Sequence, residues 1–435
     1  MNKPVSAQQL QKWFLLAMVA LAAIFLLLLV CGNLGDQTDI FYMGGRDFQA
    51  DMLHTEEYAR ELNPYGYSTT EPHIPFKDAN YPPQAYVLFY LCDLISGRDV
   101  TTPWAMAVSV GLAAIGVALL FYGLWQMIDG KKNLRILLSA ALALSAPALF
   151  AFERGNIILL CCVLCIWFLL GYRSQRPVIR ELALLALAIA AALKIFPALL
   201  GLLLIRERAW KDAFRLILYG IAAVFLPFFC VEGGFSNLPL LIENFGAHTA
   251  YYTRFIYPRF GFRLFASMTY DTSFANTFLN DNLWRLGDKL FRYMPAVDAI
   301  LACCCLTGAL VNTRRWEAVA AIMLVLVNYP VNSGYYTALY LLPAIAMLLS
   351  CPQLTRKDIP IAVLFLIVLC PVQIPIPYAS WGITDPILCN LTGIFHNLAA
   401  YALFFIFAFK GVVALVSTIR VRGVRKDEST MPTAA

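Results

Sequence analysis

Residues 181–206 read ELALLALAIAAALKIFPALLGLLLIR. Between Glu181 and Arg206 the run carries one charge, Lys194, and one proline, Pro197. A stretch this long and apolar outruns the ~20 residues a helix needs to cross a bilayer. Proline cannot continue an α-helix without losing a backbone hydrogen bond. The run therefore reads as two apolar helices, 181–194 and 195–206, meeting at a polar break. An ionisable group at such a depth is costly, and such groups usually serve a function. The structural alternative for Lys194 is a lysine at a short hairpin tip that snorkels to the interface.

The rest of the chain repeats this composition. Of 435 residues, 60% are hydrophobic and 14% charged, and the mean hydropathy is +0.68. No soluble domain could cover that much apolar surface, so the chain reads as an all-α, polytopic transmembrane protein. Apolar segments fall near 14–32, 104–127, 136–151, 155–172, 181–194, 195–206, 213–231, 293–311, 316–329, 336–351, 358–373 and 391–416. They predict about twelve crossings, several shorter than a full span. The N-terminal segment lacks a small-residue cleavage site and reads as a retained anchor. Residues 1–426 form one integral membrane domain, and 427–435 read as a disordered cytoplasmic tail. The twelve cysteines lie mostly in or beside apolar segments and read as packing thiols. They lack the companions a metal site needs.

Basic residues set the orientation. They gather in short loops: Lys131 to Arg135, Arg173 to Arg180, Arg206 to Lys211, Arg314-Arg315, Arg356-Lys357 and Arg420 to Lys426. Twelve crossings put all of these on the side of the N-terminus, the cytoplasm. The net charge of +6 is thus a topology signal, not a nucleic-acid footprint. Large outer loops then follow the first and seventh spans, at 33–82 and about 232–292. The first holds nine acidic residues against three basic ones. Residues 83–97 are apolar but too short to cross. They predict a helix lying in the interface, opened by Pro82-Pro83.

This topology gathers the unusual polar features on one face. Asp47 and Tyr81-Pro82-Pro83 belong to the first outer loop. Glu153-Arg154-Gly155-Asn156 makes an outer turn, Lys194 lies near the outer end of its helix, and Asn328 to Tyr336 forms another outer turn. Arg154 has two readings, a functional cation or a partner of Glu153 that closes the turn. On spacing alone Asp47 has rivals in Asp36, Asp39, Asp51, Glu56, Glu57 and Glu61. His54 lies one helical turn past Asp51, too small a set for a metal site, and no paired-aspartate metal motif occurs in the loops. In the second loop Arg254, Arg259 and Arg263 interleave with aromatic residues. That pattern fits either an interfacial belt or a lid over sugar and phosphate.

At these residues the chain resembles glycosyltransferase family 87, a GT-C group of polyprenyl-phosphate-dependent transferases. The resemblance rests on Asp47-Phe48, Ala59, Asn63-Pro64-Tyr65 and Tyr81-Pro82-Pro83, then Gly155-Asn156, Leu193-Lys194 with Pro197, and Leu341-Leu342-Pro343. Their order covers most of residues 39–345, and the spacing to Pro64 favours Asp47 over Asp51. Two departures stand out. The family often has a His in the turn before Leu-Leu-Pro, where this chain has Tyr335-Tyr336. The Gly expected before Asn63 is also missing.

The resemblance implies a GT-C fold and transfer of a sugar from a polyprenyl-phosphate donor to a glycolipid or polysaccharide acceptor. The transfer would occur on the outer face of a bacterial inner membrane, among membrane lipids and without nucleic acid. Asp47 is expected to take the acceptor proton, a contribution of typically ~10²–10⁴ in rate. Lys194, Arg154, Arg254, Arg259 and Arg263 are expected to hold the donor phosphate, and Tyr81, Asn156, Tyr335 and Tyr336 to line the substrate. With one carboxylate and direct displacement the anomeric centre inverts, and no metal or cofactor is required. The alternatives are a transporter or flippase of a lipid-linked or anionic substrate, an O-antigen polymerase or ligase, and a noncatalytic relative.

Overall fold

The computed structural model describes residues 6–31, 48–66, 79–252, 281–311, 314–330, 334–372, 374 and 391–430. Among these the chain is helical throughout, with no strand. The N-terminal helix α1 spans Ala7–Cys31. The loop after α1 contributes α2 (Ala50–Ala59) and a single 3-10 turn at Pro64–Gly66. Helix α3 (Pro83–Ser96) follows, with Pro83 in its first turn and Gly97 closing it at φ 86°. Its 14 residues match the short helix expected at 83–97.

Helix α4 (Pro103–Met127) starts where the Thr102 side chain accepts from the Ala105 N–H, with Pro103 following. Helices α5 (Lys132–Ala143) and α6 (Ala146–Glu153) make one segment bent by 49°, and Pro147 sits in the first turn of α6. Then come α7 (Ile158–Gly171), α8 (Pro177–Leu193), a 3-10 stretch Phe196–Gly201 and α9 (Leu202–Arg206). Helices α10 (Trp210–Phe225) and α11 (Asn237–Tyr252) precede the long α12 (Asp281–Val311). Helix α13 (Arg315–Asn328), a 3-10 stretch Tyr335–Leu341, α14 (Leu342–Leu349), α15 (Asp358–Val368) and α16 (Leu391–Thr430) complete the chain. Helix α16 thus runs a few residues past the expected domain end at 426.

Every apolar segment read from the sequence contains helix among the described residues, but their lengths differ. Among the described residues five helices are long and apolar enough to cross a membrane, and a sixth if the bent α5–α6 pair counts as one. The other segments are short or broken, so the expected count of about twelve goes beyond what length and composition establish. Burial separates the two kinds. Every residue of α13 from Trp316 to Asn328 is buried, which puts α13 inside the bundle. In α10 no residue is buried. Its Trp210, Phe214, Ile217, Leu218, Ile221 and Phe225 lie exposed at helical spacing, a stripe that suits lipid rather than water. Helices α12 and α16 cross closely: a Cβ added at Gly411 would collide with the Cys304 carbonyl and lie 3.1 Å from Gly308 Cα. Small residues at such crossings let backbones approach without a hydrophobic driving force.

The basic loops meet at one end of this bundle. Gln11 Nε2 donates to the Asp129 and Leu349 carbonyls at 2.7 and 3.0 Å. Arg314 holds both oxygens of Asp358 at 2.9 Å, and Lys410 reaches Glu317 at 2.7 Å. Arg315 donates to the Leu169 carbonyl at 2.7 Å, and both Tyr172 and Arg173 donate to Glu207. Loops far apart in sequence are thus hydrogen-bonded to one another, as a common side for them requires.

Candidate active site

The opposite end collects the polar residues singled out above. It is built first by the backbone around Gln49, which is fully buried and left-handed at φ 58°. Its N–H donates to the Glu153 carbonyl at 2.7 Å. Its amide donates to the Phe152 carbonyl and accepts from the Ser109 hydroxyl. Gly155, at φ +62°, must be glycine here, since a Cβ would lie 2.7 Å from Gln49 Oε1. The start of α2 is thereby pinned onto the turn that ends α6.

That pinning brings Asp51 into the site. Arg154 Nη2 donates to Asp51 Oδ1 at 2.6 Å, and Asn156 Nδ2 donates to Oδ2 at 2.6 Å. The described ion pair of Arg154 is therefore with the loop that follows α1, 103 residues away in sequence. The Asp51 N–H also donates to the Arg154 carbonyl at 3.0 Å.

Lys194 stands where the sequence broke. Helix α8 ends at Leu193, and Lys194 is extended at φ −144°, ψ 123°. Its ammonium lies 5.3 Å from the Tyr81 ring centroid and 5.7 Å from that of Tyr336. Among the described residues it makes no hydrogen bond or ion pair, so two aromatic faces hold the charge. Tyr81 is fixed in turn by the motifs flanking it: Tyr65 donates to the Tyr81 carbonyl at 2.8 Å, and the Tyr81 N–H donates to the Tyr86 hydroxyl at 3.3 Å. Asn63-Pro64-Tyr65 and Tyr81-Pro82-Pro83 thus act as one unit. Phe150 stacks on Tyr336 with ring centroids 5.8 Å apart.

The adjacent tyrosines separate. Tyr336 lies among Asp51, Arg154 and Asn156. Tyr335 is buried, donates to the Val368 carbonyl at 2.9 Å and stacks on His396 at 4.6 Å, so its described contacts are structural. Asp47, Arg254, Arg259 and Arg263 lie outside the described residues. The fold therefore unites Tyr81, Arg154, Asn156, Lys194 and Tyr336, and adds Asp51 and Gln49, which the sequence reading ranked low or passed over. The sequence signal for them was their closeness in the chain to Asp47. Among the described residues no group of three metal-ligating side chains forms.

A cleft of about 410 Å³ opens elsewhere, lined by Tyr172, Arg173, Gln175, Arg180, Glu207, Ala209 and Asp212. Its charges answer one another, Arg173 to Glu207 at 2.7 Å and Arg180 to Asp212 at 3.8 Å. It belongs to the basic end and holds none of the candidate residues.

No curated protein and no solved structure matches the chain. The sequence pattern of glycosyltransferase family 87 matches residues 80–333, more than half of it, and the match includes Tyr81, Arg154, Asn156 and Lys194.

Proposed function

We propose, for a chain that belongs to glycosyltransferase family 87 and is therefore a membrane glycosyltransferase, that the donor is a polyprenyl-phosphate sugar. Its acceptor would be a glycolipid or polysaccharide hydroxyl, reached at the outer face through a GT-C arrangement of about twelve crossings. Family membership displaces the transporter and polymerase alternatives.

The observation that carries the donor assignment is the charge on Lys194. Asp51 pairs with Arg154, and the described contacts of the Lys194 ammonium are the Tyr81 and Tyr336 rings, which leaves it open to an arriving anion. A lipid-linked sugar phosphodiester brings one negative charge. Its tail would lie in lipid between helices while its phosphate meets Lys194. The acceptor oxygen attacks the anomeric carbon as the bond from that carbon to the phosphate oxygen breaks. The hydroxyl proton passes to Asp47, and the lipid phosphate leaves with one further negative charge. Lys194, Arg154 and an arginine from 254, 259 or 263 would stabilise that charge as it grows, the largest single contribution in many enzymes. A single displacement of this kind inverts the anomeric centre, and the fixed cations remove the need for a metal ion. Tyr81, Asn156 and Tyr336 would orient the sugar, with Tyr335 behind them.

The test is a donor panel with purified protein and membrane lipid extract. Radiolabelled sugars would be offered on polyprenyl phosphate, on polyprenyl diphosphate and on a nucleotide. Label moving from the monophosphate alone is the expected result. Transfer from the diphosphate or the nucleotide alone would overturn the donor assignment.

A further inference from the structure

Helices α2 and α3 each bring a residue to the site, Asp51 from α2 and Tyr81 from just before α3. What joins them is a buried charged cluster that the transfer chemistry does not use. Glu56 of α2 and Asp93 of α3 are both fully buried. Arg60 Nε donates to Asp93 Oδ1 at 3.3 Å, and the Ser96 hydroxyl donates to Glu56 Oε2 at 3.3 Å. Glu56 Oε1, Asp93 Oδ2 and Arg60 Nη2 are buried and find no partner among the described residues. Two buried carboxylates thus share one guanidinium, whose side chain is itself 32% exposed. A second buried negative charge without a partner is costly, and such groups take a proton instead.

We propose that Glu56 is a positioning residue whose proton latches α2 onto α3, holding Asp51 and Tyr81 in register for transfer. This rests on the reading of that end as the transfer site. The neighbours bear it out. Cys92 of α3 faces Glu56, and Asp99, just beyond α3, lies near Arg60. Helix α4, also packed on α2, contains no ionisable acid or base except Tyr122. His54, Glu57 and Glu61 are exposed or half-buried. Burial pushes the Glu56 carboxyl up to about 7, with Asp93 adding to the push and the Ser96 hydroxyl and Arg60 opposing it. The docked carboxyl therefore holds its proton more tightly than the free one, with its ordinary value of 4.5. Docking is strongest at acid pH, weakens as pH rises from 4.5 towards about 7, and levels off above.

The experiment compares wild type with Glu56→Gln, which keeps the shape and mimics the protonated acid. Asp93→Asn, which removes the surplus charge, serves as a second variant. Hydrogen exchange of the amides in 50–59 would be followed at about pH 5 and pH 8 without donor, and label transfer measured across the same range. The wild type should lose protection relative to Glu56→Gln by at least about tenfold between the two pH values. Its transfer rate should fall on the alkaline side, while Glu56→Gln stays flat and Asp93→Asn, which keeps the buried Glu56 carboxyl, falls less than wild type. Identical pH dependence of exchange in wild type and both variants would overturn the latch. Separation in exchange with no transfer of label by any protein would support the latch and count against the donor assignment.

Discussion

The two polar ends of the bundle treat charge in opposite ways. At the basic end, cations meet anions: Arg314 meets Asp358 in a bidentate pair, Lys410 meets Glu317 and Arg173 meets Glu207. At the other end Lys194 meets two aromatic rings and makes no ion pair among the described residues, the nearby Asp51 being held by Arg154. Paired charges tie loops together. An unmatched cation at a broken helix contributes little to folding and is available to an anion that arrives later. The contrast teaches where to look for chemistry in a chain with so many basic residues: where the positive charge has no described partner.

If the contrast holds, substitutions at the two ends should fail in different ways. The largest effect belongs to Asp47→Asn. Losing a general base should lower the transfer rate by ~10²–10⁴, with thermal stability unchanged. Asp51→Asn should fall well short of that, because it loosens Arg154 without removing the base. Initial rates and melting temperatures of both variants check this; a larger loss of rate in Asp51→Asn than in Asp47→Asn would move the base to Asp51. The smaller expected effect lies at the basic end. Arg314→Met leaves Asp358 buried without its partner and should destabilise by about 3–5 kcal/mol. Transfer by the protein that remains folded should match wild type. A large drop in its intrinsic rate would break the comparison.

Much of the fold was legible because hydrophobic periodicity and Lys/Arg bias report on the bilayer directly. The break at Lys194-Ile195-Phe196-Pro197 and the short helix at Pro83 could be read from proline and length. The crossing count could not. Helices such as α13 are buried in protein on every side, and their length answers to neighbouring helices rather than to bilayer thickness. The site was legible in part. Arg154, Asn156 and Lys194 could be named from local oddity, since a charge or amide stands out in an apolar run. Their partners could not. The Asp51–Arg154 pair and the buried Gln49 depend on contacts across more than a hundred residues. Tyr335 and Tyr336 are neighbours in sequence, and only the 3-10 geometry sends one to Val368 and the other towards Lys194.

The most direct test of the central claim, that Lys194 takes the donor phosphate, is the dissociation constant of polyprenyl phosphate for Lys194→Met against wild type, with Arg314→Met as the control. Charge-assisted hydrogen bonds contribute about 1.5–3 kcal/mol. Binding to Lys194→Met should therefore weaken by at least ~10-fold while the control binds as wild type does. Equal affinity for Lys194→Met and wild type would contradict the account.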